Sequence, residues 1–315
     1  MNFSKLTNPD AWLGLATLFA LGSAVYLAAL SLFTLWRLRH PSRRTYAYAV
    51  ARSIPGDPSE LDSTPPTFST WTLTTNAGDI EIWDTKADAP NGPAVIVSHG
   101  WGSSRIDMLS RFDALRPHAA RVLFYDMRGH GDTKGPCTLG AKEPADLSAL
   151  IRHAQADAPV LVLYGYSLGA EVTLRAAAAT LASTAPPAIA GIILESPYNL
   201  GITPAKAVLG ASEFPRLANL PIAMVLNSLL AGVHPLDRWR NLARFAGPVR
   251  DARIPLSVIH GAADTISPIA DGEAIASAAG GALTGVEAAG HKDLDKVPRP
   301  EITEALAAFF ESLPA

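Results

Sequence analysis

The stretch "APVLVLYGYSLGAE", residues 158–171, joins an apolar run to a helix-forming run through a serine set between two glycines. Its first half is short, β-branched and apolar on both faces, as a strand buried between two helix layers must be. Gly165 and Gly169 keep side chains clear of a tight turn that would lift Ser167 above the end of a sheet. The same letters also suit a plain strand-to-helix turn with serine as its N-cap. What separates the two readings is whether the chain brings a base, an acid and paired amide donors to the same edge.

Around this stretch, further runs have the same buried-strand character: "PAVIVS", "RVLFYD", "AIAGIILE", "IPLSVIH" and "ALTGVEA". Helical patterns alternate with them, among them "EPADLSALIRHAQA", "EVTLRAAAATLA" and the closing "PEITEALAAFFESL". Alternation of this kind predicts an α/β fold with a mostly parallel, doubly wound sheet. Upstream, "TWTLTT" and "DIEIWDT" flank the turn residues "NAGD" and predict an N-terminal antiparallel hairpin. From about 199 to 247 the rhythm breaks into helical pieces punctuated by Pro204, Pro215, Pro221 and Pro235, which predicts a helical cap over the strand ends.

A serine hydroxyl needs a base, and His291, in "EAAGHKDL" behind the last predicted strand, is the only histidine after His260. Two carboxylates end strands and compete to orient it. Asp264 follows "SVIHG" in a turn closed by Pro268, whereas Glu195 ends "GIILE", and the chain position favours Asp264. An oxyanion needs two aimed N–H groups. Leu168, directly after the serine, supplies one, and Trp101, in the glycine-freed loop "SHGWGSS", supplies the other.

The order "HGWG", "YDMRGHG", "GYSLG", "GAAD" and "AGHKD" resembles the α/β-hydrolase superfamily of serine hydrolases, over roughly Trp71 to the C-terminus. The resemblance implies the α/β-hydrolase fold, a Ser167–Asp264–His291 triad and an oxyanion hole of the Trp101 and Leu168 backbone amides. It also implies that Asp126, Arg128 and His130 hold loop structure. "HGWG" departs from the "HGGG" of many lipases. The implied activity is cleavage of a small carboxylic ester or acyl substrate through an acyl-enzyme on Ser167. A peptidase or thioesterase using the same triad, and a catalytically silent binding protein, are the alternatives.

The 315 residues carry a net charge of only −3, with no basic footprint for nucleic acid. Cys137 is the single cysteine, which excludes an internal disulfide. The spacing of the histidines suggests no metal site, and no cofactor is expected. From Ala11 to Trp36 the chain is uncharged, long enough at ~1.5 Å per residue to cross a ~30 Å hydrocarbon core. Trp12 and Trp36 stand near its ends, and Arg37, Arg39, Arg43 and Arg44 follow it. Residues 1–40 therefore read as a single-pass membrane anchor, 41–68 as a Pro/Ser/Thr-rich linker and 69–315 as the catalytic domain, placed on the cytoplasmic side by its arginines. Ala16, Ala20, Ala24 and Ala28 form a small-residue stripe that suits weak helix pairing between copies.

Overall fold

A computed structural model of the chain describes residues 9–61, 64–76, 78–158, 160–184, 186, 188–211, 219–239, 241–294 and 300–314. Among them, eight strands form one sheet: β1 (Phe68–Thr75), β2 (Gly78–Lys86), β3 (Ala94–Ser98), β4 (Arg121–Tyr125), β5 (Leu161–Tyr166), β6 (Ile189–Glu195), β7 (Leu256–Gly261) and β8 (Ala282–Val286). Their order is β1-β2-β4-β3-β5-β6-β7-β8. β1 and β2 make the expected antiparallel hairpin, β2 runs antiparallel to β4, and the remaining pairings are parallel.

The helices are α1 (Pro9–Arg39), α2 (Tyr46–Val50), α3 (Arg105–Met108), α4 (Phe112–Leu115), α5 (Glu143–Ala154), α6 (Leu168–Leu181), α7 (Ile202–Ala211), α8 (Asn219–Ala231), α9 (Ala246–Asp251), α10 (Ile269–Ala279) and α11 (Pro300–Glu311). Successive strand residues point to opposite faces, so the central strands feed two cores. Ala94 and Ile96 of β3 join Leu147, Leu174 and Ile275 from α5, α6 and α10. Val95 and Val97 join Phe112 and Phe309 from α4 and α11. Strands apolar on both faces are what this double covering demands.

After β3 the chain moves to β4 on one side, then returns through α5 to β5 on the other. The order reverses between β3 and β5, where Ser98 stands opposite Gly165, and such a reversal opens a crevice at the carboxyl ends of the strands. The expected cap lies over that crevice as α7, α8 and short 3₁₀ turns at Pro235–Trp239 and Leu242–Phe245. Pro204 and Pro221 fall in the first turns of α7 and α8, where a missing N–H costs nothing; Pro215 lies outside the described residues.

α1 is long and apolar enough to cross a membrane, and Leu13, Phe19, Val25 and the four stripe alanines are exposed along it. Its last turns are not free of the domain. Ser31, Thr34, Leu35 and Leu38 are buried, and α1 packs along α8. The segment expected as a linker is likewise attached: the Arg43 guanidinium donates to the Gly131 carbonyl at 3.0 Å, and Arg44 pairs with Asp107. Thr34 at the end of the apolar run, and Arg39, Arg43 and Arg44 after it, find partners on the domain instead of ending in solvent.

Candidate active site

Ser167 sits at the N-cap of α6 with φ 54° and ψ −111°, a left-handed conformation that costs a non-glycine residue ~1–3 kcal/mol. The neighbouring strand over-determines it, since the Ser167 N–H donates to the Glu195 carbonyl at 2.9 Å. A Cβ on Gly165 would stand 2.5 Å from the Gly169 carbonyl oxygen, and one on Gly169 would stand 2.1 Å from that of Ser98. Both glycines are therefore required for α6 to seat against β5 and β3, and that seating presents the hydroxyl.

β7 and β8 lie side by side, so the loops that follow them emerge together. The Ala262 N–H donates to Val286 O and the Ala263 N–H to Ala289 O, both at 2.9 Å, which splices one loop to the other. These loops carry Asp264 and His291. His291 Nε2 lies 2.9 Å from Ser167 Oγ, and its Nδ1 lies 2.7 Å from Asp264 Oδ2. The other carboxylate oxygen, Oδ1, accepts the Ile266 and Ser267 amides at 2.9 and 2.8 Å. The Tyr166 hydroxyl donates to the His291 carbonyl at 2.8 Å and fixes the backbone of that loop.

Burial alone would raise the Asp264 carboxyl, but hydrogen bonds from His260 and His291, with the Ser267 amide, outweigh it and hold the group well below the usual carboxylate range. His260 is a partner the sequence did not single out. Its Nε2–H donates to the Ser267 carbonyl at 2.7 Å and stands 3.3 Å from Asp264 Oδ2. One histidine thus faces the serine while a second braces the acid from behind.

The "HGWG" loop follows β3 and borders a cavity of about 160 Å³ with Ser167 and Leu168. His99 anchors it as a neutral ring: Nδ1–H donates to Gly100 O at 2.8 Å, and Nε2 accepts the Met127 N–H at 2.9 Å. Asp126 accepts the Arg105 and Asp132 amides at 2.8 and 3.1 Å, and Arg128 grips Asp146 with two bonds of 2.7 Å. His130 donates to or accepts no group of the Ser167 cluster; its Nδ1 meets the Arg128 carbonyl at 3.1 Å. The "YDMRGHG" residues hold loops, as the family resemblance implied.

Burial lowers His99 to about 4, and burial with repulsion from His99 lowers His130 to about 3. An unfolded histidine titrates near 6.5, so between about pH 6 and 4 the unfolded chain binds protons that the folded chain refuses. Stability should therefore fall with pH in this window by roughly 1.4 kcal/mol per unit for each ring. Asp126, raised by burial, acts in the opposite sense near the bottom of the window. Urea midpoints measured from pH 7 to 4.5 test this, and a flat profile would contradict the neutral-ring assignment.

Glu195, the rival acid, lies elsewhere. Its carboxylate is buried against Arg111, whose Nε donates at 3.1 Å, and against the Tyr164 hydroxyl. It therefore bonds to side chains, not to backbone and not to His291. Leu38, Tyr198 and Lys292 line the Ser167 cavity without having been singled out from sequence, and Arg44, read there only as a charge flanking the apolar run, lines it too. Tyr198 is held by its hydroxyl on Glu171 at 2.5 Å.

Residues 94–305 match the model of the alpha/beta hydrolase family. Two uncharacterized Mycobacterium tuberculosis proteins, from strains CDC 1551 / Oshkosh and H37Rv, are 29% identical over 192 residues, covering 60% of this chain. The match spans 58% of the length of those relatives. Among solved structures, an esterase from Pyrococcus furiosus superposes with a TM-score of 0.65 at 20% identity, over 88% of this chain and 99% of that one. A hydrolase from Pseudomonas aeruginosa PA01 reaches 0.53 at 24% identity, over 78% of this chain and 99% of that one. At such identities the structures speak for the fold, and the family match carries the assignment: the chain belongs to the alpha/beta hydrolase family.

Proposed function

We propose that the protein hydrolyses a carboxylic ester through an acyl-enzyme on Ser167. The observation that carries this reading is the continuous line from Ser167 Oγ to His291 Nε2 at 2.9 Å and from His291 Nδ1 to Asp264 at 2.7 Å. Ser167 Oγ attacks the carbonyl carbon as His291 takes its proton, and Asp264 stabilises the imidazolium that forms. The Leu168 and Trp101 amides receive the charge that develops on the carbonyl oxygen. His291 then protonates the departing alkoxide, and water repeats the sequence on the acyl-enzyme to release the acid.

The cavity favours an ester over the peptide alternative. Its described lining includes Leu38, Leu139, Leu168, Pro204, Ala205 and Ile266, with Arg44 and Lys292 as its ionic members. No carboxylate stands in that described lining to receive the α-ammonium group of an aminopeptidase substrate, and the Lys292 cation there would repel it. Labelling with a fluorophosphonate tests the nucleophile: the wild type should label and Ser167→Ala should not. Absence of labelling in both would leave the catalytically silent binding reading.

We also read α1 as a retained membrane span with the catalytic domain on the cytoplasmic side, which favours acylated or lipidic substrates. The arginines after the span support the orientation. The docking of Thr34 on Asn219 and the burial of Leu35 and Leu38, at the end of the apolar run, support a retained helix over a cleaved leader. Protease added outside intact cells should leave the catalytic domain whole; its digestion would reverse the orientation.

A further inference from the structure

The C-terminal end of a helix leaves carbonyls that need donors from elsewhere. In α1, two of these are met by the catalytic domain: Leu38 O accepts the Trp101 indole N–H at 3.0 Å, and Arg39 O accepts the Cys137 amide at 2.9 Å. The cap helix in turn carries two buried asparagines aimed at α1. Asn219 Nδ2 donates to Thr34 Oγ1 at 2.7 Å, and Asn227 Oδ1 accepts from the Arg39 guanidinium at 2.9 Å. Asn227 also donates to the Thr138 carbonyl at 3.0 Å, tying α1, the cap and the loop after Cys137 to one side chain. The two asparagines are thus matched to α1, an arrangement that a cap helix facing solvent would not need.

Leu38 is only 3% exposed, and its side chain faces the Ser167 cavity beside Trp101, Leu139 and Leu168. We propose that the last turn of α1 is a wall of the acyl site, and that Leu38 is a specificity-determining residue that sets the length of acyl chain accepted. This rests on the acyl-transfer reading of Ser167 and adds to it the surface against which the acyl group is measured. Because α1 is docked on the cap from Ser31 onward, about 10 Å along the axis before Leu38, the wall lies close to where the exposed, proposed span leaves the bilayer. Anchor and substrate wall are one helix, which places the cavity beside the leaflet that would supply a long-chain acyl compound.

The test uses the full chain in detergent, assayed on 4-nitrophenyl esters from acetyl to dodecanoyl. Leu38→Trp fills the cavity and should lower kcat/KM for the long esters on the order of tenfold relative to acetyl. Leu38→Ala opens it and should move the optimum towards longer chains, an effect of similar size for about three buried carbon groups. Leu35→Ala, buried on α8 but outside the cavity, should leave the shape of the chain-length profile as in wild type. If Leu38→Trp does not fold, Leu38→Ala carries the comparison alone. A wild type that labels with fluorophosphonate and hydrolyses esters, with Leu38 variants that keep the wild-type profile, overturns this proposal alone. A wild type that neither labels nor turns over overturns the acyl-transfer reading and this proposal with it.

Discussion

Ser167→Ala is expected to lower kcat/KM for a carboxylic ester by about 10⁵- to 10⁶-fold while leaving the protein folded. The hydroxyl is the only proposed atom that bonds to the carbonyl carbon, so its loss removes the acyl-enzyme route altogether. What remains is binding and the amide donors of Trp101 and Leu168, which alone retain roughly 10³- to 10⁴-fold over water in triad hydrolases. The backbone strain at φ 54° stays in the alanine variant, and the Ser167 N–H still reaches the Glu195 carbonyl, so the thermal midpoint should hardly move. Side chains of a working triad act as a unit, so on this proposal the double variant Ser167→Ala/His291→Ala should lose no more than either single one. Steady-state kinetics on a chromogenic ester reads both outcomes. Residual turnover above about one part in a hundred, or losses that multiply in the double variant, would mean that the chemistry runs elsewhere.

The parts legible in the sequence were those governed by local rules. Strand runs apolar on both faces foretold a sheet covered on both sides, and "GYSLG" foretold its own turn because each glycine meets a carbonyl that forbids a Cβ. His291 was singled out by chain order, since few histidines follow the serine, and the fold brings it to 2.9 Å from Ser167 Oγ. What stayed hidden depended on distant contacts. Thr34 looks like an ordinary small polar residue of a membrane helix, and Asn219 and Asn227 like minor interruptions of an apolar cap helix; only the Thr34–Asn219 and Arg39–Asn227 pairs show the last turns of α1 docked on the domain. Leu38 carried no mark, because a leucine at the end of a span reads as more span. His260 was visible as a residue but not as a brace, since its distance from the carboxylate oxygen of Asp264 is a property of the turn between them.

That brace bears on the α1 docking as well. The Asp264 turn, the "HGWG" loop and the last turn of α1 reach the cavity from three separate elements, and each is held by bonds made outside it. Asp264 rests on two amides and His260, Trp101 on the Leu38 carbonyl, and Leu38 on its burial against the cap. A site positioned by its supporting contacts in this way tolerates little displacement, because a reacting geometry off by ~1 Å can cost ~10² in rate. Shortening the chain before Pro41 would remove the proposed substrate wall and, with the Leu38 and Arg39 carbonyls, the bonds that hold Trp101 and Cys137.

Asp264→Asn should lower kcat by about 10⁴-fold even in the molecules that remain folded, whereas Glu195→Ala should act chiefly on stability. In the asparagine variant the amide oxygen remains on the Ile266 and Ser267 N–H groups, which leaves the NH₂ facing His291 Nδ1. That contact forces the hydrogen of the ring onto Nε2, where it donates to Ser167 instead of accepting its proton, and a wrong tautomer of this kind costs about 10⁴ in kcat in a triad protease. The depressed carboxyl of Asp264 works in the same sense, because the group stays ionised throughout the working range and is always available to the imidazolium. Its contribution to stability is present above the ordinary aspartate range near 3.9 and is lost only as pH falls below that towards the folded value. Glu195 is a different case. Removing it strands the buried Arg111 guanidinium and the Tyr164 hydroxyl, and breaking a buried ion pair in this way costs ~3–5 kcal/mol, a fall of roughly 10 °C in thermal midpoint. The molecules that remain folded keep the Ser167–His291–Asp264 line and should turn over within about tenfold of wild type. Kinetics normalised to the folded fraction, beside thermal melts of both variants, separates the two carboxylates. If Asp264→Asn lost less than about a hundredfold while folded Glu195→Ala lost more, the orienting acid would have to be reassigned to β6.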